Sequence, residues 1–196
     1  MPRSPSAPKA AAKRQRVPAH ERRDAVIDSA VHEFARGGLH GTPVDRIARR
    51  VGVAQPYVFA LFGSKRELFL AAVERGFELI AATFTAAAET FDPAAAPPDT
   101  DLLRAMGQAY VEMLRDHRDY LMLQHQSYAA CEDPLIRDRV RQLFAELITH
   151  VQRLSGAEPE RIDEFIRYGM WLNVAAALEV DDLSVTCDWV QAEREP

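Results

Sequence analysis

The sequence predicts an all-α fold, in which a three-helix N-terminal domain of the homeodomain-like, helix-turn-helix type precedes a larger helical domain. Along most of the 196 residues, apolar positions recur at spacings of three and four, which is the period of an amphipathic helix. No segment alternates apolar and polar residues over the length of a strand. Glycine and proline separate the periodic segments, as they do at the ends of helices.

Residues 1–20 come before the first periodic segment. They contain four prolines, several alanines and five cations, which are Arg3, Lys9, Lys13, Arg14 and Arg16. Such a segment buries too little apolar surface to offset the entropy of ordering, so we expect a disordered basic arm. The arm could become ordered in a DNA minor groove, or it could be a solvated tail that only raises the local charge.

Residues 21–68 predict the helix-turn-helix domain. Its first helix runs from Glu21 to Arg36 and stops at Gly37 and Gly38, because glycine accepts the left-handed conformation. Thr42 is the expected N-cap of a short helix that begins at Pro43 and ends near Gly52. The residues expected to face inward from these two helices are Val26, Ala30, Val31, Phe34, Val44, Ile47, Ala48 and Val51.

A second short helix is predicted from about Gln55 to Leu61, with Pro56 in its first turn and Gly63 after its end. Ser64 and Glu67 then form a capping box for a long helix. The inward-facing residues of that helix are Phe69, Val73, Phe77, Ile80 and Phe84.

Residues 69–196 predict the larger helical domain. A proline-rich loop is expected at residues 92–100. Further helices are expected near residues 101–116, 120–130, 134–156 and 159–178. In the tail from Asp181, three apolar residues suggest packing against the rest of the chain: Leu183, Val185 and Trp189.

The net charge of −5 is distributed unevenly along the chain. Residues 1–70 contain 13 Lys and Arg against 6 Asp and Glu, a net charge of +7. Of the totals of 24 basic and 29 acidic residues, 11 and 23 remain for the rest of the chain, a net charge of −12. A basic first third indicates contact with a polyanion such as nucleic acid. Two oppositely charged surfaces that serve only solubility would give the same count.

Composition and missing motifs exclude several classes of protein. With 47% hydrophobic and 27% charged residues, a packed soluble core is expected, and no run is apolar enough to span a membrane. Cys131 and Cys187 are too few for a disulfide framework, which favours a cytoplasmic setting. Phosphate loops, nucleophile elbows and zinc-binding spacings are absent, so we expect no enzyme, cofactor or metal site.

Two short helices around a glycine turn, at about residues 43–62, describe a helix-turn-helix motif, whose second helix reads the major groove. Three segments carry a more specific pattern: FARGGLHGTPVDRIA at 34–48, Gly52-Val53, and FGSKREL at 62–68. Together they resemble the N-terminal domain of TetR-family regulators over roughly residues 21–70. The resemblance implies a homodimer that binds double-stranded DNA and, by default, a repressor released from a palindromic operator by a small-molecule effector.

Within the motif, we expect Gln55 to make bidentate hydrogen bonds to adenine and Tyr57 to contact phosphate or a base edge. Thr42 and Lys65 lie at helix N-termini, which attract phosphate. Gln55 and Lys65 could instead be solvated surface residues, and Tyr57 could pack in the core. The full set of expected DNA contacts is Thr42, Pro43, Arg46, Ala54, Gln55, Pro56, Tyr57, Phe59, Ala60 and Lys65.

Three positions depart from the family's pattern. Ala54 stands where Ser or Thr is frequent, Phe59 where Tyr is common, and Leu61 where His is frequent. Phe59 cannot donate a hydrogen bond to phosphate, although Tyr57 could supply a phenol instead. These departures leave an alternative function open, in which a helical protein-interaction module has kept the fold and lost DNA binding.

The resemblance also implies an effector pocket among the middle helices and a dimer interface in the last ones. Large apolar residues, some with polar tips, could line the pocket or be ordinary core: Met106, Tyr110, Met113, Met122, His125, Tyr128, Phe144 and Trp171. Small and apolar residues on the helix from Pro159 predict a face for a second copy: Ile162, Phe165, Gly169, Asn173 and Ala176. We expect the helix from Pro134 to contribute to the same interface.

Overall fold

The computed structural model describes residues 18–98 and 100–180, which form eight α-helices and no strand. The first four helices are α1 (Ala19–Gly41), α2 (Val44–Arg50), α3 (Gln55–Phe62) and α4 (Lys65–Thr90). The last four are α5 (Leu102–Asp116), α6 (Arg118–Ala129), α7 (Pro134–Ser155) and α8 (Pro159–Ala177). The predicted all-α class is confirmed, and none of the described helices is long and apolar enough to cross a membrane.

Short-range signals set most helix boundaries within two residues of their predicted places. The Ser64 hydroxyl accepts a hydrogen bond from the Glu67 N–H at 3.2 Å, as the capping box predicts. Gly156, with φ of +61°, ends α7 in the left-handed conformation. α1 already begins at Ala19, inside the segment predicted to be disordered. The rest of the predicted arm, residues 1–17, and the tail from residue 181 lie outside the described residues.

The predicted stop at Gly38 is a kink within α1. Gly38 has φ of +60° and ψ of −175°, and helical geometry resumes after it until Gly41. Backbone in this region is almost restricted to glycine. The kink redirects the end of α1 toward α2.

The prediction that Thr42 caps α2 is wrong. The Thr42 side chain is fully buried, and its hydroxyl donates to the Glu33 carbonyl oxygen at 3.1 Å. Gly37 makes room for this hydroxyl, since a Cβ at Gly37 would lie 2.6 Å from it. α2 therefore begins at Val44 after an extended Pro43, without a side-chain cap.

Helix α4 connects the two parts of the molecule, so the predicted boundary after residue 68 falls inside a continuous helix. In the N-terminal part, Phe34 of α1 is fully buried and packs edge-on against Phe69 of α4, with ring centroids 5.0 Å apart. Farther along α4, Phe77 packs in the same way against Phe144 of α7, at 5.1 Å. One hydrophobic core thus runs through both parts.

Helix α1 also packs against α6, which ties the N-terminal part to the helical bundle. The His32 Nδ1 and Asp119 Oδ2 atoms of α1 and α6 are 2.7 Å apart. The Arg75 guanidinium of α4 binds the Asp24 carboxylate of α1 at 2.7 Å. A displacement of α6 or α4 would therefore be transmitted to α1.

Candidate nucleic-acid interface and internal cavity

A tight turn fixes the angle between α2 and α3. Gly52, at its centre, has φ of +70°, and the Val53 N–H donates to the Ala48 carbonyl oxygen at 3.0 Å. Ile47 of α2 and Val58 of α3 are buried on the inner side of this pair. With its inner side held in this way, α3 presents its opposite side outward.

The outward side of α3 contains most of the predicted DNA contacts. Tyr57 is half-buried, and Phe59 is a large apolar residue at 37% exposure. The remaining predicted residues at this end are all exposed: Ala54, Gln55, Pro56 and Ala60. Ala54, the N-cap residue of α3, makes no side-chain cap. Pro56 has no N–H and the Tyr57 N–H donates to the Ala54 carbonyl oxygen at 2.9 Å, so of the first three α3 residues Gln55 has the N–H that suits a phosphate oxygen.

Cations of α2 lie beside this surface. Arg46 is 3.6 Å and Arg50 3.9 Å from the buried Glu33 carboxylate, whereas Arg49 pairs with Asp45 at 2.8 Å. All three arginine side chains are more than half exposed. The Arg49–Asp45 pair is exposed, and exposed ion pairs contribute little to stability, so Arg49 can turn toward a phosphate at small cost. Arg46 and Arg50 also compensate the buried Glu33 carboxylate, so contact with a phosphate is shared with that role.

At the start of α4, the Lys65 ammonium donates to the His40 carbonyl oxygen at 3.2 Å. Partial burial lowers the pKa of Lys65 from its ordinary value. Pro43 is exposed before α2, whereas the buried Thr42 hydroxyl is already bonded to Glu33. The expected phosphate contact of the Thr42 hydroxyl is therefore corrected: the hydroxyl faces the interior.

The helical bundle contains a small cavity lined by α4, α5, α6, α7 and α8. Its volume is about 40 Å³, enough for a few water molecules. The lining is mostly apolar and comprises Ile80, Phe84, Gly107, Tyr110, Gln124, Phe144, Leu147, Phe165, Ile166, Tyr168, Gly169, Met170, Leu172 and Asn173.

Buried hydrogen bonds lie beside the cavity. The Tyr110 hydroxyl donates to Asn173 Oδ1 at 2.6 Å, and Gln124 Nε2 donates to the Tyr128 hydroxyl at 2.7 Å. Burial raises the pKa of Tyr110 and of Tyr128 above the ordinary value for tyrosine. Both phenols are therefore neutral near pH 7.

Of the residues predicted for the effector pocket, Tyr110 and Phe144 line the cavity. Tyr128 does not line it, but its hydroxyl accepts a hydrogen bond from Gln124, which does. Met113 borders a separate void of about 10 Å³, and Met106 is fully buried in the core. The other three are half-buried elsewhere: Met122, His125 and Trp171.

Sequence reasoning missed Gln124 as a cavity residue. A signal was present, because Gln124 lies three residues after Leu121 and four before Tyr128, on the inward face of α6. A polar residue on an apolar helical face is informative, since buried polar groups usually have a specific partner.

The structure contradicts two of the five predicted dimer residues, and the other three stay predictions. Ile162 and Asn173 are buried in the chain's own core, at 4% and 1% exposure. Phe165 and Gly169 line the cavity together with Asn173, and Ala176 is half-buried, with its carbonyl accepting from Arg118. Helical spacing correctly predicts that these residues share one face of α8. That face packs against the chain's own core at Ile162 and Asn173.

Comparisons with known proteins agree with this geometry. Residues 26–72 match the family model described as bacterial regulatory proteins, tetR family. The transcriptional activator FasR of Mycolicibacterium smegmatis is 29% identical over 153 residues, covering 74% of this chain and 66% of FasR. The chain thus spans just under two thirds of that relative's length.

Solved structures share the whole fold. A TetR-like transcriptional regulator from Rhodococcus sp. RHA1 superposes with a TM-score of 0.59 at 22% identity, covering 92% of this chain and all of that one. The multidrug binding protein EbrR, solved with imidazole, gives 0.59 at 22% identity over 83% of this chain and 82% of its own. Residues 26–72 thus match the tetR-family model, and the described chain shares its fold with solved TetR-like regulators.

Proposed function

We propose that this protein is a sequence-specific DNA-binding transcriptional regulator, a homodimeric repressor that a small-molecule effector releases from a palindromic operator. The observation that carries the proposal is the outward face of α3, which is exposed from Gln55 to Ala60 except at Tyr57 and Val58 and is flanked by the α2 arginines. A helix of this kind reads base edges in the major groove. Flanking cations position the protein on phosphates without adding sequence specificity.

Each side chain of the α3 face has a chemical role in this proposal. Gln55 makes paired hydrogen bonds to adenine, and Tyr57 donates its phenol to a phosphate or base. Phe59 and Ala60 give apolar contacts, which suit the thymine methyl group. Phe59 thereby adds base discrimination where a tyrosine would add a phosphate contact.

The interaction-module alternative is not favoured. A protein-binding surface is usually depleted of charge at its centre and rich in apolar area. Around α3, Phe59 is the only large hydrophobic residue that is exposed among the described residues, and three exposed arginines lie on α2. This pattern suits a polyanion better than an apolar protein surface.

Release by an effector is supported by the fold and by the buried cavity. EbrR, which has the same fold, is named as a multidrug binding protein and was also solved with proflavin. In this chain, α6 contributes Gln124 to the cavity lining and also packs on α1. A ligand that enlarges the cavity would displace α6 and tilt the DNA-reading helices, to the extent that it binds the two states differently.

Dimerisation is proposed through exposed apolar residues of α7 and α8. On α8, Val174 and Leu178 are 42% and 59% exposed and lie one turn apart, and on α7 Ile148 is 37% exposed. In sedimentation velocity, we expect a dimer that Val174→Glu/Leu178→Glu converts to a monomer without loss of helix content. A wild-type monomer at micromolar concentration would exclude the homodimer.

Fluorescence anisotropy with DNA from around the protein's own gene tests the main proposal. Wild type is compared with Gln55→Ala/Tyr57→Ala across a salt series, and Gln152→Ala on exposed α7 is the control. We expect saturable binding that weakens with salt, because neutralised phosphates release counterions. The double variant should lose about 1–3 kcal/mol of discrimination between operator and random DNA for each base contact removed.

The outcomes separate the two functions. Preference for one fragment, lost in the α3 variant and kept in the control, supports the regulator. Equal binding to operator and random DNA, followed by a genome-wide pull-down that recovers no site, supports the interaction module.

A further inference from the structure

We propose that the effector is an uncharged, largely apolar molecule that presents a carbonyl-type hydrogen-bond acceptor to the amide of Asn173. This inference rests on the proposed function, because it specifies which effector the bundle selects. It follows from the charge of the cavity lining, from the Asn173 amide, whose oxygen is bonded to Tyr110 while its nitrogen has no acceptor among the described residues, and from the aromatic rings in the walls.

The cavity lining contains no Asp, Glu, Lys or Arg among the described residues. The lining contains no histidine either, and the His125 Nε2 of α6 lies 3.2 Å from the Asn173 carbonyl oxygen. Burying an unpaired charge in apolar surroundings is costly, and here no opposite charge is available to offset that cost. The lining therefore disfavours both anions and cations and favours neutral molecules.

Asn173 supplies the specific polar contact. Its side chain is 1% exposed, and Oδ1 accepts the hydrogen bond from Tyr110. The Nδ2 amide nitrogen has no acceptor among the described residues, although Asn173 lines the cavity. A ligand acceptor placed against Nδ2 would therefore gain a hydrogen bond without displacing an existing one.

Gln124 offers a second, complementary group. Its Nε2 donates to Tyr128, while its Oε1 accepts from no described residue. Gln124 is 9% exposed and lines the same cavity. A ligand with a hydroxyl or N–H group beside its carbonyl could thus bind both amides.

Aromatic rings form part of the cavity wall and offer stacking partners for a ligand. The Phe84 ring lies 5.8 Å from Tyr110 and 5.5 Å from Phe165, centroid to centroid. Gly107 and Gly169 bring α5 and α8 close to these rings, since an added Cβ would lie 3.7 Å from Phe165 and 4.0 Å from Tyr110 respectively. Aromatic rings at such distances pack well against another ring.

The route into the cavity is also visible. Gly107, Phe165 and Tyr168 border both the cavity and an open groove of about 760 Å³ between α5 and α8. Rotation of Phe165 would join the two spaces. Such an opening is required, because the cavity of about 40 Å³ is far below the ~300 Å³ of a typical ligand pocket.

Three dyes of similar size test the inference on the full chain without DNA. Prodan is a neutral aromatic ketone, N-phenyl-1-naphthylamine is neutral without a carbonyl, and proflavin is a cation. Titrations are followed by dye fluorescence at high salt, which screens the acidic surface. We expect prodan to bind wild type at least about tenfold more tightly than proflavin does, as burying an unpaired charge predicts.

Variants of Tyr110 and Asn173 test whether the Asn173 amide makes the proposed hydrogen bond to the ligand. Tyr110→Phe removes the phenol but keeps the Asn173 amide, and should bind prodan within about twofold of wild type. Adding Asn173→Leu in that background should weaken prodan binding about tenfold while leaving N-phenyl-1-naphthylamine unchanged, because only prodan uses the bond. Asn173→Asp introduces a carboxylate and should strengthen proflavin binding.

Proflavin binding wild type as tightly as prodan, or no saturable prodan binding, overturns the inference. So does equal weakening of prodan and N-phenyl-1-naphthylamine in the double variant. If the double variant fails to fold by circular dichroism, the wild-type ranking and Asn173→Asp still decide. Prodan binding as expected, in a protein without operator preference, supports the cavity chemistry while the regulator proposal fails.

Discussion

The α2–α3 surface and the bundle cavity place their polar groups in opposite ways. Around α3, Gln55 and the α2 arginines are outside, and the residues buried between α2 and α3, Ile47 and Val58, are apolar. Around the cavity, Gln124 and Asn173 are buried and hydrogen-bonded. A surface can therefore change its specificity without changing stability, whereas residues of the cavity contribute to both.

Truncation of a buried aromatic side chain should give the largest loss of stability, and the loss should differ between the N-terminal part and the cavity. Phe34→Ala removes a fully buried ring from the N-terminal part and should destabilise the protein by about 3–5 kcal/mol. Phe165→Ala removes a half-buried ring that already borders empty space, so its cost should be smaller. Urea unfolding measures both, and equal losses would contradict the view that the two regions are packed differently.

Replacing a polar residue should cost little stability on the α2–α3 surface and more beside the cavity. Gln55→Ala, on the exposed face, should alter the free energy of unfolding by less than about 0.5 kcal/mol. Asn173→Ala leaves the Tyr110 hydroxyl without its acceptor and should cost about 1–3 kcal/mol. The measurement is urea unfolding, with operator binding for the first variant. A large loss in Gln55→Ala would mean that the α3 face stabilises the fold.

The same contrast explains what the sequence could predict. The Ser64 capping box and the Gly156 stop depend on neighbours within a few residues, so their patterns were sufficient. Thr42 looked like a cap, but its hydroxyl bonds to Glu33 because Gly37 leaves room there. That arrangement depends on packing between segments, which local patterns do not encode.

The exposed α3 residues were predicted from their place in the motif, whereas the cavity depends on contacts between distant segments. Tyr110 and Asn173 are 63 positions apart. Spacing along α8 correctly grouped Gly169 and Asn173 on one face. Periodicity does not show whether such a face meets the chain's own core or a second copy, and here it meets the core.

Replacing glycine by alanine should lower the stability of the protein at Gly38 of α1 and raise it at Gly169 of α8. At Gly38, φ of +60° and ψ of −175° strain any other residue, and a Cβ would lie 2.5 Å from Gln126 Oε1 of α6. Gly38→Ala should therefore cost about 1–3 kcal/mol. Adding Gln126→Ala removes the clash but leaves the strained backbone, so the urea midpoint should recover only in part. Complete recovery would show that the contact with α6, and not the kink, requires glycine.

Gly169→Ala should give the smallest effect, and a favourable one. Gly169 has ordinary helical backbone within α8, and a Cβ there would meet Tyr110 at 4.0 Å, a normal contact distance. Alanine should add up to about 1 kcal/mol of stability and also fill part of the cavity. A higher melting temperature with weaker prodan binding is therefore expected, and Gly41→Ala, which meets no atom within 4 Å, is the control. A stabilised Gly169→Ala protein that binds prodan as wild type does would place the ligand elsewhere in the bundle, because a methyl group inside the ligand site should take up room and weaken binding.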